Sequence, residues 1–466
     1  MWEATIMSDY RIEEDALGPV KIPADALWGA QTQRSLQNFS TGEKMPLVLI
    51  KVMLQLKKAA ALANQDEKAI SAEKASLIVA AVNQLLSLDD VQLRKDFPLV
   101  VYQTGSGTQT NMNVNEVVAN VAKKLNSKVE ILPNDDVNHS QSSNDIFPTA
   151  MNITAALAVE KLEVAVQHLI DKLDEKQKEF WRVVKIGRTH LQDATPITFG
   201  QEISGWKSTL EHDLGYLKEL NGTLNELAVG GTAVGTGLNA VPHFAETIAQ
   251  KMSDIYGIKF TADSNKFYEL AAHSGLNVVH GAMKTLASDL IKIANDVRFL
   301  ASGPRAGYGE INIPANEPGS SIMPGKVNPT QAEAITMAAV RVIGNDVVIS
   351  LSASQGNFEM NVYKPVIIST FLESAELLTG TISNFTDLMI AGLTVNQDRM
   401  KELVDRSLMI VTALSPHIGY HASAKIAQQA QKDGVTLHQA AIQSGKVTNA
   451  QYDQWVDPMK MTGIDG

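Results

Sequence analysis

Asn316-Glu-Pro-Gly-Ser-Ser-Ile-Met-Pro-Gly-Lys-Val-Asn-Pro-Thr-Gln-Ala-Glu333 carries three prolines and two glycines within the thirteen residues from Glu317 to Pro329. Proline fixes φ and removes a backbone donor, so a stretch this dense in Pro and Gly is neither helix nor central strand; it is a loop. Pro318, Pro324 and Pro329 restrict the backbone, while Gly319 and Gly325 permit positive φ or close approach to a ligand. Between them stand two hydroxyls (Ser320, Ser321), a cation (Lys326) and an amide (Asn328). That inventory suits an anion, because hydroxyl and backbone donors lie beside a positive charge. A solvated surface loop is the bland alternative for the same residues.

Outward from the loop, the chain reads as long helices. Ala155, Val159, Leu162, Val166, Leu169 and Leu173 step by four and three within 150–180, which predicts one helix with a continuous apolar seam. Its length would be about 45 Å at the usual rise. A second seam runs Ile203, Trp206, Leu210, Leu214, Leu217, Leu220, Leu224, Leu227, and a third Val279, Met283, Leu286, Leu290, Ile293, Val297, Leu300. Helical pattern continues at 331–349 and 360–392, and earlier at 47–65 and 71–88. The expectation is a mainly α fold: an elongated central helical bundle with smaller N- and C-terminal domains. The boundaries read as 1–141, 142–392 and 393–466. The segment 10–45 reads as packed but irregular, with short apolar runs among its prolines and glycines.

Composition narrows the function. The 466 residues are 44% apolar and 20% charged, ordinary for a globular chain. A net charge of −11 argues against a broad nucleic-acid face. The absence of cysteine excludes disulfides, thiolate catalysis and Cys-ligated metals. No run approaches the roughly 18 apolar residues that a membrane helix needs. The first fifteen residues hold five acids against Arg11, the wrong charge for a leader, so a cytoplasmic location without membrane partners is expected. Met7 could be the natural start. No His-x-x-x-His or carboxylate-rich spacing suggests a metal, and no cofactor is expected.

Four further stretches hold chemistry. Thr104-Gly-Ser-Gly-Thr-Gln-Thr-Asn-Met-Asn-Val-Asn-Glu116 sets Gly105, Ser106, Gly107 and Thr108 ahead of a helix expected to start near 111–115. Donors at a helix start make either an anion site or an ordinary cap. Pro133-Asn-Asp-Asp-Val-Asn-His-Ser-Gln-Ser-Ser-Asn-Asp145 places Ser142, Ser143 and Asn144 before another helix, with Asp145 in its first turn. Gly187-Arg-Thr-His-Leu-Gln-Asp-Ala-Thr-Pro-Ile-Thr-Phe-Gly-Gln-Glu202 contains Thr189 and His190. A lone loop histidine is more often structural than catalytic. The Gly-dense run 230–239 lacks the Gly-Lys-Ser/Thr ending of a phosphate cradle, so nucleotide binding is rejected.

Gly319-Ser-Ser-Ile-Met-Pro-Gly-Lys-Val-Asn-Pro329 resembles the signature loop of the fumarase/aspartase superfamily. The resemblance extends from about Arg11 to Val447 and points within that superfamily to the iron-free class II fumarases. It implies that Ser320 is the catalytic base, that Ser321 binds substrate, and that Lys326, Val327 and Asn328 hold a substrate carboxylate. It assigns Ser106, Gly107, Thr108, Ser142, Ser143, Asn144 and Thr189 to the substrate, and pairs His190 with Glu333 for proton transfer to and from water. Thr-Gly-Ser-Gly-Thr at 104–108 and the His at 190 match fumarases, whereas aspartases typically have Ala-Gly-Ala-Gly-Thr and Gln. The family also has a second, non-catalytic anion site near Leu132, Pro133, Asn134 and Asp135. This chain departs there: Val129 and Leu132 stand where Arg and His are frequent. Arg305 reads as scaffolding for the signature loop. The expected activity is reversible hydration of fumarate to (S)-malate through an aci-carboxylate, in the tricarboxylic acid cycle. The expected assembly is a homotetramer with each active site shared between three subunits. An aspartate ammonia-lyase and a non-enzymatic structural protein are the alternatives.

Overall fold

The computed structural model describes residues 10–464, so the possible start at Met7 lies outside the described residues. The chain divides into two units. One comprises Met1–Leu162, Tyr216–Lys284 and Arg341–Leu377; the other comprises Glu163–Gly215, Thr285–Val340 and Leu378–Gly466. Helices dominate, and every sheet among the described residues is a two-stranded ribbon. The mainly α reading therefore holds.

The segment 10–45 is more regular than its composition suggested. Tyr10–Asp15 and Gly18–Pro23 form an antiparallel hairpin, and Ala30–Asn38 is a helix. Prolines 19 and 23 fit because a two-stranded ribbon is all edge, where a missing N–H is tolerated. The helix start is satisfied from a distance. The buried Glu116 carboxylate accepts from the N–H groups of Gly29, Gln31 and Thr32 at 2.9, 2.9 and 3.1 Å. No local pattern announces such a cap.

In the first unit, Leu47–Asp66 and Ala72–Leu86 are helices, as their Ala/Leu/Lys/Gln content favours. Met53, Leu54, Leu56, Ile78, Val82, Val114, Val117 and Val118 are fully buried among them. Each such side chain contributes roughly 1.5–3 kcal/mol relative to exposure.

The long helices are longer than expected at one end and shorter at others. The first spans Ser143–Glu179, 37 residues, starting seven residues before the expected 150. The second, Phe199–Asn221, stops before Leu224 and Leu227, which are buried in a short turn and strand instead. The third, Ser274–Leu300, contains its whole seam, every member buried. Thr330–Ala353 follows the Pro-rich loop, and Lys364–Phe385 starts four residues later than read, because 356–361 fold into a small ribbon. In the second unit Val404, Ile410, Leu414, Ile426, Leu437 and Ala441 build a C-terminal core that also buries Ile186.

The expectation of no membrane-length apolar run needs correction. Thr330–Ala353 and Lys364–Ile390 are long and apolar enough by length and hydropathy, and are 39% and 44% buried within the chain. On Thr330–Ala353 the exposed residues Met337, Val340, Gly344, Val347 and Leu351 step by three and four, so this helix is apolar on a second face.

Candidate active site

Residues singled out in the sequence fall into two sets, one in each unit. In the first unit, Gly107 adopts φ +80 and the helix Thr108–Leu125 begins immediately after it. The start lies three residues before the expected 111–115. Gly107 needs its hydrogen twice over: for the left-handed backbone, and because a Cβ would strike the Phe147 ring. The turn brings Ser106 Oγ and Thr108 Oγ1 to 2.8 Å of each other.

The Ser142–Asp145 turn is built around a carboxylate. Asp145 is fully buried and accepts from the N–H groups of Ser142, Gly230 and Thr232 at 2.9, 2.9 and 3.1 Å. It thereby locks the Gly-dense run to the helix start. Burial pushes the Asp145 carboxyl up to about 6, against the three amide donors and Lys57, which favour its charged form. Ser143 Oγ accepts from Asn111 Nδ2 at 3.1 Å, and Asn144 Nδ2 donates to Ala233 O at 2.7 Å. Ser142 and Asn144 remain half-buried, whereas Ser143 is buried.

In the second unit, the stretch read as a loop around His190 is a hairpin, Val184–Thr189 with Gln192–Thr198. His190 and Leu191 form its two-residue turn with φ +56 and +59, where Asn-Gly would be usual. Non-glycine residues held there cost of order 1–3 kcal/mol each, and such strain clusters at functional sites. Both side chains are exposed. The hairpin is held close to its turn: Arg188 makes a two-pronged pair with the buried Glu310 carboxylate at 2.8 and 3.2 Å and lies over the Tyr308 ring at 4.4 Å. Arg305, read as scaffolding, is exposed and makes no hydrogen bond or ion pair among the described residues. Arg188 and Glu310 tie the 301–312 segment down instead.

The signature loop closes on itself. Gly319 N–H donates to Lys326 O at 3.0 Å, and Asn328 Nδ2 donates to Gly319 O at 2.6 Å. A Cβ on Gly319 would collide with that Lys326 carbonyl, and Gly325 sits at φ +81. Ser320 Oγ accepts from the N–H groups of Ile322 and Met323 at 3.3 and 3.1 Å. Ser321 to Val327 are exposed. A cavity of about 910 Å³ brings Lys326, Val327, Asn328 and Glu333 together with Asn295, Arg298 and Asn312. Within the chain no hydrogen bond or ion pair joins His190 to Glu333.

Around Leu132, Pro133, Asn134 and Asp135 the chain makes a π-helical turn, Pro133–Val137. The adjoining cavity of about 610 Å³ is lined by Glu13, Glu14, Asp15, Glu116 and Glu130 against Lys123 and Lys128. Asp136 is paired with Lys74 at 2.8 Å. Among the described residues no group of three or more His, Cys, Asp or Glu side chains is placed to hold a metal ion. Glu116, Lys57 and Lys364 are buried residues that spacing did not single out. A buried Lys in a helical pattern carries no local mark.

A lyase family model matches residues 18–344, and a fumarase C C-terminus model matches 410–463. The chain belongs to this lyase family. It is 55% identical over 459 residues to fumarate hydratase class II of Bacillus anthracis, covering 97% of this chain and 99% of that one. It is 54% identical over 461 residues to that of Bacillus subtilis, again covering 97% and 99%. A crystal structure of class II fumarase from Schistosoma mansoni superposes with TM-score 0.93 at 42% identity, covering 97% and 99%. Within the lyase family the chain is thus a member of the class II fumarate hydratase family.

Proposed function

We infer that this chain hydrates fumarate reversibly to (S)-malate, by anti addition and elimination through an aci-carboxylate, as a step of the tricarboxylic acid cycle in the cytoplasm. In the malate direction Ser320 Oγ takes the C3 proton, and the C–H electron pair moves into the adjoining carboxylate. Lys326, Val327 and Asn328, with backbone N–H groups of the loop, stabilise the dianionic end that forms. His190 delivers a proton to the C2 hydroxyl, which leaves as water, and Glu333 orients the ring. Ser106, Gly107, Thr108, Ser142, Ser143, Asn144, Thr189 and Ser321 hold the two carboxylates.

The observation that carries this reading is the pair of backbone N–H groups donated to Ser320 Oγ. A serine hydroxyl is a weak base, and donors aimed at its oxygen favour the anionic form that can take a proton. The apolar stripe from Met337 to Leu351 supports a homotetramer with active sites drawn from three subunits. The missing His190–Glu333 contact within one chain fits partners supplied by different copies. The acidic cavity beside Leu132 and Pro133 suits a dianion poorly, so the second site is read as inactive here. The 1–141, 142–392 and 393–466 division goes with this reading, and limited proteolysis between those segments would support it. Purified protein given malate should release fumarate, and given aspartate should release neither fumarate nor ammonia. Ammonia from aspartate would replace the hydratase with an ammonia-lyase.

A further inference from the structure

We propose that Lys364 is a positioning residue for the dicarboxylate: it straps the Gly105 turn to the Ser143–Asn144 turn and keeps positive charge beneath both. The proposal rests on the functional reading above. Lys364 opens the helix Lys364–Phe385 and is fully buried. Its backbone N–H donates to Gly105 O at 3.2 Å. Its ammonium donates to Asn144 O at 3.2 Å and lies 3.2 Å from the Met360 sulfur. The approach to the Gly105 turn is close, since a Cβ on Gly105 would overlap the Val362 carbonyl. One residue thus grips, through its two ends, the two segments whose hydroxyls and amide are assigned to substrate.

The strap is a poor stabiliser by itself. An ammonium has three donors, and here they meet one carbonyl and one thioether. Holding an ammonium out of water with so few partners costs free energy. A lysine kept in such a place needs another reason, and the surroundings supply one. Lys57, also fully buried, donates to Asn138 Oδ1 and Gln141 Oε1 at 3.0 and 2.8 Å below the same turn. Both lysines are attracted to one carboxylate, Asp145, which is already engaged by three backbone N–H groups. Two lysines face one carboxylate, so with both protonated the underside of the turn carries net positive charge, in a setting where charge is weakly screened. Burial pulls both lysines down to about 7. A bound dianion is what would favour their charged forms.

Lys364→Met separates positioning from bulk stability. On the intact assembled protein the variant should raise KM for malate and fumarate about tenfold, with kcat within about threefold of the parent. Its thermal midpoint should not fall. Lys364→Gln, read the same way, covers the case in which the methionine variant does not fold. An unchanged KM, or matched losses of kcat, KM and thermal midpoint, would overturn the proposal and leave the hydratase reading standing. If the parent protein itself turns over neither malate nor fumarate, that reading falls, and the proposal with it.

Discussion

Ser320, proposed as the base, accepts at Oγ from two backbone N–H groups, those of Ile322 and Met323. The mechanism needs those donors when negative charge sits on Oγ, not when substrate merely binds. Ser320→Ala should therefore cut kcat at least about 100-fold while KM shifts little, measured by steady-state kinetics on malate. Near-normal turnover would move the base to another residue. The identities in this loop were legible because Pro and Gly density marks a loop and the hydroxyl, cation and amide mark an anion site. The geometry that activates Ser320 was not, since it depends on where two N–H groups point. His190 was legible as a candidate, but its left-handed backbone at φ +56 was not, because His-Leu is not a residue pair that announces such a turn. Lys364 was invisible for a different reason. A lysine near a helical pattern reads as solvated, and only the packed chain shows it buried.

Among elements, the seams were the most legible feature, because apolar residues stepping by three and four share one face of a helix. The ends were less so. The Ser143–Glu179 helix begins ahead of its seam because Asp145 orders its first turn, accepting from the N–H of Ser142 beside it and from those of Gly230 and Thr232, some 85 residues away. Packing of these helices also stores a pH response. Asp213, in the helix Phe199–Asn221, faces Asp289 of the helix Ser274–Leu300. Burial first, then repulsion by the Asp289 carboxylate, pushes Asp213 up to about 7 from 3.8. Between those values the folded chain keeps a proton that the unfolded chain has released. Stability is therefore lost as pH rises through that window, and the full cost is present above pH 7. Asn cannot ionise, so Asp213→Asn should raise the thermal midpoint by a few degrees at about pH 8 and give no gain at about pH 4. Equal shifts at both values would remove Asp213 as the cause.

For the whole molecule, His190 and Glu333, the proposed proton-transfer pair, are exposed or half-buried without contacting each other, and one long helix keeps an apolar stripe uncovered. Association of copies would resolve both. Native mass measurement should give four chains, and Val340→Glu with Leu351→Glu in that stripe should yield smaller species with little hydratase activity. Full activity in a monomer would contradict shared sites. The long helices could be anticipated from periodicity. The discontinuous make-up of each unit could not, because it depends on which distant segments meet. Whether water and a proton add to opposite faces of fumarate is read by incubating fumarate with the purified protein in heavy water. Malate carrying one deuterium at C3 as a single, anti-addition diastereomer is expected. A mixture of both C3 diastereomers, or no deuterated malate at all, would contradict it.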